Sequence, residues 1–164
     1  MSTRVYYSDS DIKLWVHSIM RDIAKDTWRP DYIVGLTRGG LVPAVMLSHY
    51  MDVPMESLDV SFRDGGSCVS NCGMSEDAYT GKNILVVDDI NDSGKTLSWI
   101  KEDWKTSCMP NNPVWDTIWG YNVRVAVMIN NEASEFVDID YTGKTINKLE
   151  TPEWCVFPWE EWWR

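Results

Sequence analysis

The fold is decided by the stretch Val86-Val87-Asp88-Asp89-Ile90-Asn91-Asp92-Ser93-Gly94-Lys95-Thr96. The residues just before the two carboxylates, 84–87, are all apolar, and such a run is typical of a strand buried in a parallel sheet. We therefore predict a strand over 83–87, a polar loop, and a helix over 94–105. A strand followed directly by a loop and a helix is the repeating unit of an α/β fold.

The rest of the chain repeats this alternation. Ser8 and Asp11 have capping-box spacing, and the helical apolar periodicity that follows predicts a first helix of about four turns. Further strands are predicted at 32–36, 57–62 and 123–129, and a further helix at 41–50. Segment 63–81 is rich in Gly, Ser and Asp and predicts a mobile loop or hairpin, and 106–121 predicts a surface loop. The fold class is a single α/β domain over 1–164, with ligands expected where the parallel strands end.

Composition excludes several classes of protein. The 164 residues carry a formal charge of −10, whereas nucleic-acid binders usually present a basic surface, so we expect no nucleic-acid partner. No apolar run approaches the length of a membrane-spanning helix, and the N-terminus lacks the plan of a signal peptide. The four cysteines show no Cys-x-x-Cys spacing and are read as reduced thiols. These features predict a cytoplasmic protein without a membrane partner.

The loop after the predicted strand suits a sugar phosphate. At the start of the next helix, backbone N–H groups and the helix dipole favour a phosphate, and the hydroxyls of Ser93 and Thr96 add donors. The carboxylates of Asp88 and Asp89 can accept hydrogen bonds from a diol or hold Mg²⁺.

Three other interpretations of this loop agree less well with its residues. Gly94-Lys95-Thr96 resembles the end of a Walker A loop, but Asp89 stands where that motif requires glycine. An EF-hand beginning at Asp89 would end at Ile100 instead of glutamate, and a strand precedes it. The third interpretation is an acidic, solvated turn with a helix cap, which the full eleven-residue arrangement disfavours.

Residues 84–96 resemble the binding signature for 5-phosphoribosyl pyrophosphate (PRPP) in type I phosphoribosyltransferases. The resemblance implies that Asp88 and Asp89 hold the ribose hydroxyls, with Mg²⁺ directly or indirectly. It also implies that Asp92, Ser93, Gly94, Lys95 and Thr96 hold the 5-phosphate. In purine members the acid at the position of Asp92 lies near the purine N7, so the resemblance makes Asp92 the proton acceptor.

Residues 36–44 resemble the pyrophosphate loop of bacterial and archaeal purine phosphoribosyltransferases. The resemblance assigns pyrophosphate binding to Thr37, Arg38, Gly39 and Gly40. The two glycines let backbone N–H groups approach the ligand closely, and Arg38 supplies a permanent positive charge. In the family the peptide before the basic residue can be cis, here Thr37–Arg38. Ser61-Phe62 is a loose match to a Ser-Tyr pair in the family's mobile loop.

The C-terminal residues 153–160 resemble those of xanthine-guanine and hypoxanthine-guanine phosphoribosyltransferases. The resemblance implies that Trp154 stacks on the purine and that the backbone of Cys155 reads the ring edge. Purine members place a lysine after the strand that corresponds to 125–129, where it donates to the purine O6. Here Asn130-Asn131 follows that strand, and the Asn130 amide can donate to a base only without charge.

The resemblance implies a type I phosphoribosyltransferase fold, with a central parallel sheet flanked by helices and a small C-terminal hood over about 140–164. The implied activity is transfer from PRPP, with Mg²⁺, to guanine, hypoxanthine or xanthine. Two alternatives remain: a sensor of PRPP or nucleotides without turnover, and a transferase for another base. A homodimer or homotetramer is expected by resemblance.

Overall fold

The computed structural model describes residues 2–60, 62 and 68–164. The strands are β1 (Thr3–Tyr6), β2 (Tyr32–Thr37), β3 (Met55–Asp59), β4 (Ile84–Asn91), β5 (Val123–Asn131), β6 (Tyr141–Ile146) and β7 (Glu153–Val156). The helices are α1 (Asp9–Lys25), α2 (Leu41–Met51), α3 (Cys72–Tyr79), α4 (Lys95–Ser107) and α5 (Trp115–Ile118). The capping box predicted at the start of α1 is confirmed, because Ser8 and Asp11 each accept from the other's backbone N–H.

The central sheet has the strand order β3-β2-β4-β5-β6, and every pairing in it is parallel. From β2 the chain goes outward to β3 and then returns to β4 on the other side of β2. The strand order therefore reverses between β2 and β4. In open α/β sheets a ligand-binding crevice lies at such a switch point, outside the carboxyl ends of the strands.

Helices cover both faces of this sheet. One apolar cluster packs α1 and α2 against the sheet, with Ile19 and Leu47 fully buried. A second cluster on the opposite face contains apolar residues of α3, α4 and α5, including the buried Trp104 and Trp115. The predicted fold class, a central parallel sheet flanked by helices, is confirmed. Two well-filled faces hold the strand ends, and thus the loops that follow them, in fixed positions.

The predicted hood, about 140–164, begins too early and omits one strand. Strand β6, which lies inside the predicted 140–164, belongs to the central sheet. The N-terminal strand β1, for which no element was predicted, pairs in parallel with β7. Tyr7 N–H continues this pairing by donating to Val156 O at 3.0 Å. We define the hood as β1 together with residues 147–164. Because β1 and β7 are far apart in sequence, no local pattern marks their pairing.

The loop predicted over 63–81 is partly helical. Residues 72–79 form α3, whose first turn is capped by Asn71, since its side-chain Oδ1 accepts from Met74 N–H at 2.9 Å. The predicted Ser61-Phe62 match lies partly outside the described residues, as do positions 63–67 of the predicted loop. The surface loop predicted at 106–121 contains α5, whose Trp115 ring packs on Tyr79 of α3. None of the helices in the described ranges combines the length and apolar character needed to cross a bilayer.

Candidate functional site

Asp88 and Asp89 lie on β4 itself, which runs on through Asn91 instead of ending at 87 as predicted. Both carboxylates are half-buried and fold back on the backbone. Asp88 Oδ1 accepts from Asp89 N–H at 2.9 Å, and Asp89 Oδ1 accepts from Ile90 N–H at 2.7 Å. These bonds fix the two side chains beside the carboxyl end of the sheet. They place two negative charges at the crevice between β2 and β4.

The glycine loop after β2 lies directly against these acids. A Cβ on Gly39 would come within 2.0 Å of Asp89 Oδ2, and one on Gly40 would come within 2.4 Å of Val87 O. Gly40 N–H donates to Leu36 O at 2.9 Å, so this N–H group is already engaged. Gly40 therefore contributes to the loop through close packing. The predicted cis peptide Thr37–Arg38 is present. Arg38 is exposed, which leaves its guanidinium at the surface of the crevice.

The predicted phosphate loop, 92–96, follows the end of β4 and includes the first two residues of α4. Gly94 has φ of +91° and no side chain caps the helix at this position. A Cβ on Gly94 would lie 2.5 Å from both Phe136 N and Ser134 Oγ, so only glycine fits this position. The helix dipole and the N–H groups of the first turn of α4 are directed at this loop, an arrangement that favours an anion.

A buried amide network lies beneath the phosphate loop. The side chain of Asn91, only 2% exposed, donates from Nδ2 to Asn130 Oδ1 and to Phe136 O, both at 2.9 Å. Its Oδ1 accepts from Ser134 Oγ at 2.9 Å. The Asn130 carbonyl is thus engaged with Asn91. Asn130 is not among the described residues that line the hood cleft described next.

A small cleft opens between the end of β4 and the hood. Its lining consists of Ile90, Asp92, Lys148, Trp154, Cys155 and Phe157. Lys148 Nζ lies 3.0 Å from Asp92 Oδ1 and 6.0 Å from the centroid of the Trp154 ring. The structure therefore brings together two residues predicted for base binding, Trp154 and Cys155, with the predicted proton acceptor Asp92.

Asn131 and Lys148 were missed from the sequence. Asn131 Nδ2 donates to Asp92 O at 3.0 Å, and Asn131 Oδ1 accepts from Lys148 N–H at 3.0 Å. One buried amide therefore ties the phosphate loop to the hood. Lys148 lies in no motif, and only the packing of the hood onto β5 reveals its position.

Cys155 presents a thiol to the same cleft. Its side chain is buried and donates to Glu153 Oε1 at 3.5 Å. Burial raises the pKa of this thiol to about 11, and the Glu153 carboxylate adds to that rise while Lys148 opposes it. At neutral pH the thiol is therefore protonated, which suits a packing surface better than a nucleophile.

The donor set at the crevice can be tested against Mg²⁺. Among the described residues no group of three or more His, Cys, Asp or Glu side chains could hold a metal ion. Asp88 and Asp89 supply two neighbouring carboxylates. Mg²⁺ is usually bound by one or two carboxylates together with substrate phosphates and waters. The pair fits a magnesium ion that is shared with a phosphorylated ligand.

Comparisons with known proteins show which family this chain resembles. The phosphoribosyl transferase domain profile matches residues 6–162. A xanthine-guanine phosphoribosyltransferase of Cereibacter sphaeroides is 37% identical over 79 residues, 45% of this chain and 46% of that protein. A hypoxanthine-guanine phosphoribosyltransferase of Schizosaccharomyces pombe is 25% identical over 194 residues, 96% of this chain and 89% of that protein. The crystal structure of a purine phosphoribosyltransferase from Pyrococcus horikoshii superimposes with a TM-score of 0.68 and 27% identity, covering 96% of this chain and 94% of that one.

Proposed function

The chain belongs to the phosphoribosyl transferase domain family, a family of glycosyltransferases, and we propose that it transfers the 5-phosphoribosyl group of PRPP to a purine base. The products are a nucleoside 5′-monophosphate and pyrophosphate. The relatives named above act on guanine, hypoxanthine or xanthine according to their names, and we propose a base of this class. We further propose that residues 1–164 act as one domain. Assembly as a homodimer or homotetramer and a cytoplasmic location remain predictions.

One observation carries this proposal: the glycine loop, the two acids and the phosphate loop share one crevice. Gly39 lies against Asp89, and β4 continues from Asp89 into the phosphate loop within a few residues. Asp92 of that loop also lines the hood cleft. In PRPP the pyrophosphate and the 5-phosphate are both attached to one ribose, and the base attacks C1 of that ribose, so the sites for these four groups must be contiguous in this way.

The proposed roles of the crevice residues follow from their chemistry. The carboxylates of Asp88 and Asp89 accept hydrogen bonds from the ribose hydroxyls. The N–H groups at the start of α4, with Ser93 and Thr96 hydroxyls and the Lys95 ammonium, bind the 5-phosphate. The loop 37–40 binds the pyrophosphate through its backbone, and Arg38 supplies positive charge without losing its proton.

Magnesium would be held by Asp88 and Asp89 together with oxygens of the substrate, directly or through water. When bound, it would neutralise negative charge on the departing pyrophosphate. The protein's own contribution is to position the ribose against the base, and positioning of this kind supplies a large part of many enzymatic rates.

The hood cleft is proposed to bind the base. Trp154 is 42% exposed, so its ring has a face to offer a flat aromatic ligand. A ring nitrogen of the base attacks C1 of the ribose, the C1–O bond to pyrophosphate breaks, and pyrophosphate leaves with that electron pair. The proton on the purine N7 passes to the carboxylate of Asp92, which lines the same cleft. No covalent enzyme intermediate is required.

The test is release of pyrophosphate from PRPP and Mg²⁺ with guanine, hypoxanthine, xanthine, adenine and uracil supplied one at a time. The blank is the Asp88→Asn/Asp89→Asn double variant, which keeps the shape of both side chains and removes their charge. Release with one or more purines, lost in the blank, supports the transferase.

Two other results would oppose the proposal. PRPP binding by calorimetry without release for any base would favour the sensor of PRPP or nucleotides. Release with uracil alone would favour a transferase for a different base.

A further inference from the structure

We infer that Lys148 is the residue that selects a 6-oxopurine over a 6-aminopurine, and that Asn131 positions it for this task. The inference rests on the proposed function, because it assigns the recognition of the base within the same cleft. No role was predicted from the sequence for either residue, and Lys148 lies outside every motif singled out there.

The position of the Lys148 ammonium carries the inference. It lies 3.0 Å from Asp92 Oδ1 and over the Trp154 ring, 6.0 Å from the ring centroid. The Lys148 side chain is only 18% exposed and that of Asp92 is 31% exposed. In the Lys–Asp pair formed by Lys101 and Asp138, the side chains are 43% and 46% exposed. A base that stacks on Trp154 would therefore meet a partly desolvated ammonium at its edge.

Asn131 fixes the backbone of the residue that carries this ammonium. Its amide donates to Asp92 O and accepts from Lys148 N–H, each at 3.0 Å, and its side chain is 6% exposed. The backbones of both members of the ion pair are thus held by one buried side chain. A long, flexible lysine becomes useful for discrimination only when its backbone is fixed in this way, because a pre-organised group loses less freedom on binding.

The chemistry of the purine edge explains the selectivity. A 6-oxopurine presents the acceptor O6 beside N7, and Lys148 can donate to O6 while Asp92 faces N7. A 6-aminopurine presents N7 beside an amino group that is itself a donor. An ammonium has three donors and no acceptor. Lys148 can therefore donate a hydrogen bond to the 6-oxo group, whereas a 6-amino group would place two donors against each other.

Asn130, predicted for this role, is held through its side-chain carbonyl at a different place. Its Oδ1 accepts from Asn91 Nδ2 at 2.9 Å in the buried network beneath the phosphate loop. It is also not among the described residues of the cleft lining, whereas Lys148 is. The geometry therefore favours the lysine of the hood over the amide of the strand as the donor to the base.

The test compares binding of inosine and adenosine 5′-monophosphates by calorimetry. These nucleotides differ on the ring only at position 6 and its neighbouring N1, and they bind without turnover. For the unchanged protein we expect tighter binding of inosine monophosphate. In Lys148→Met this preference should fall about ten- to a hundredfold, the range of one hydrogen bond to a charged group.

Three further variants separate selectivity from folding. Lys148→Arg keeps a charged donor and should retain a preference for the oxo nucleotide. Lys101→Met removes the matched, exposed ion pair and should leave the preference unchanged. Asn131→Ala should lower the preference while Lys148 is still present, as expected of a positioning residue. Thermal unfolding of each variant verifies that it is folded at the temperature of the measurement.

The possible results are distinct. An unchanged preference in folded Lys148→Met overturns the inference and leaves the transferase intact. Equal binding of both nucleotides by the unchanged protein also overturns it. Binding of neither nucleotide, with no pyrophosphate release in the earlier assay, is the failure of the proposed function itself.

Discussion

Gly39 packs so closely against Asp89 that no larger residue fits at position 39, since a Cβ there would lie 2.0 Å from Asp89 Oδ2 and 2.5 Å from its Cγ. Gly39 lies in the loop that follows β2, and Asp89 lies on β4, the neighbouring parallel strand on the other side of the point where the strand order reverses. The close approach brings the glycine loop, proposed to bind pyrophosphate, against the carboxylates proposed to bind ribose and Mg²⁺. Glycine at position 39 is therefore required by the close packing of this loop on Asp89.

Gly39→Ala should weaken the binding of PRPP with Mg²⁺. The methyl group must displace either the loop or the Asp89 carboxylate, and overpacking of this kind typically costs about 1–3 kcal/mol. We expect a loss of affinity of about tenfold or more, measured by calorimetry.

The matched control is Gly73→Ala. Gly73 lies in α3, where the nearest atom to an added Cβ, Asn71 Oδ1, is 3.4 Å away. This variant should bind PRPP as the unchanged protein does. If Gly39→Ala also kept full affinity, the close packing of the glycine loop on Asp89 would have no part in ligand binding.

Asn91→Leu should lower both stability and phosphate affinity. The substitution retains the approximate size of the side chain but leaves Asn130 Oδ1, Phe136 O and Ser134 Oγ without their present partner. Buried polar groups left unpaired cost about 1–3 kcal/mol each, and the groups can partly rearrange. We expect the free energy of unfolding in urea to fall by about 2–4 kcal/mol.

The same substitution at the exposed Asn111 should change the free energy of unfolding by no more than about 0.5 kcal/mol. Asn91 lies between Asp89 and Asp92 on β4 and its end, so the Leu variant should also bind ribose 5-phosphate more weakly. Stability lost without any change in that affinity would limit the network to a structural role.

Local signals were sufficient to predict β4, the phosphate loop and α4. An apolar run, two acids and a glycine that needs a positive φ stand within a few residues of one another, and the structure has Gly94 at +91°. The capping box of α1 is equally local. In these elements the residues that determine the conformation are neighbours in sequence, so pattern alone identifies them.

The parts that sequence reasoning missed depend on distant partners. Strand β1 is short and largely exposed, and it forms because β7 offers a parallel edge. Helix α3 has little apolar periodicity; it is stabilised by the Asn71 cap and by packing of its buried Met74 and Ala78. Asn131 and Lys148 meet only because the hood returns to the end of β5. Tertiary packing of this kind overrides local propensity.

Cys155 should be the slowest of the four cysteines to react with iodoacetamide at pH 8. None of them forms a disulfide, and Cys72 is exposed whereas Cys155 is buried. Because burial raises the pKa of Cys155 to about 11, only a small fraction is thiolate at pH 8, and the reactive form is the thiolate.

The alkylation rate at Cys155, followed by peptide mass spectrometry, should therefore still rise about tenfold per pH unit between pH 8 and 9.5. A thiol of ordinary pKa would begin to level off in this range. Bound nucleotide should slow the reaction further, since Cys155 lines the proposed base cleft. Labelling of Cys155 as fast as that of Cys72 at pH 8 would contradict the assignment of a protonated, enclosed thiol.

Trp154→Ala should weaken binding of the base while leaving binding of PRPP intact. Trp154 lies on the hood, whereas the residues proposed to bind PRPP lie at the ends of β2 and β4. Stacking of a base on an aromatic side chain contributes about 1–3 kcal/mol, so KM for the purine should rise about ten- to a hundredfold, and Trp154→Phe should recover part of the loss. Trp162→Ala, at a position 76% exposed, is the matched control and should leave KM unchanged. A loss of PRPP affinity equal to the loss for the base would instead mean that Trp154 supports the whole site, and the stacking role would have to be abandoned.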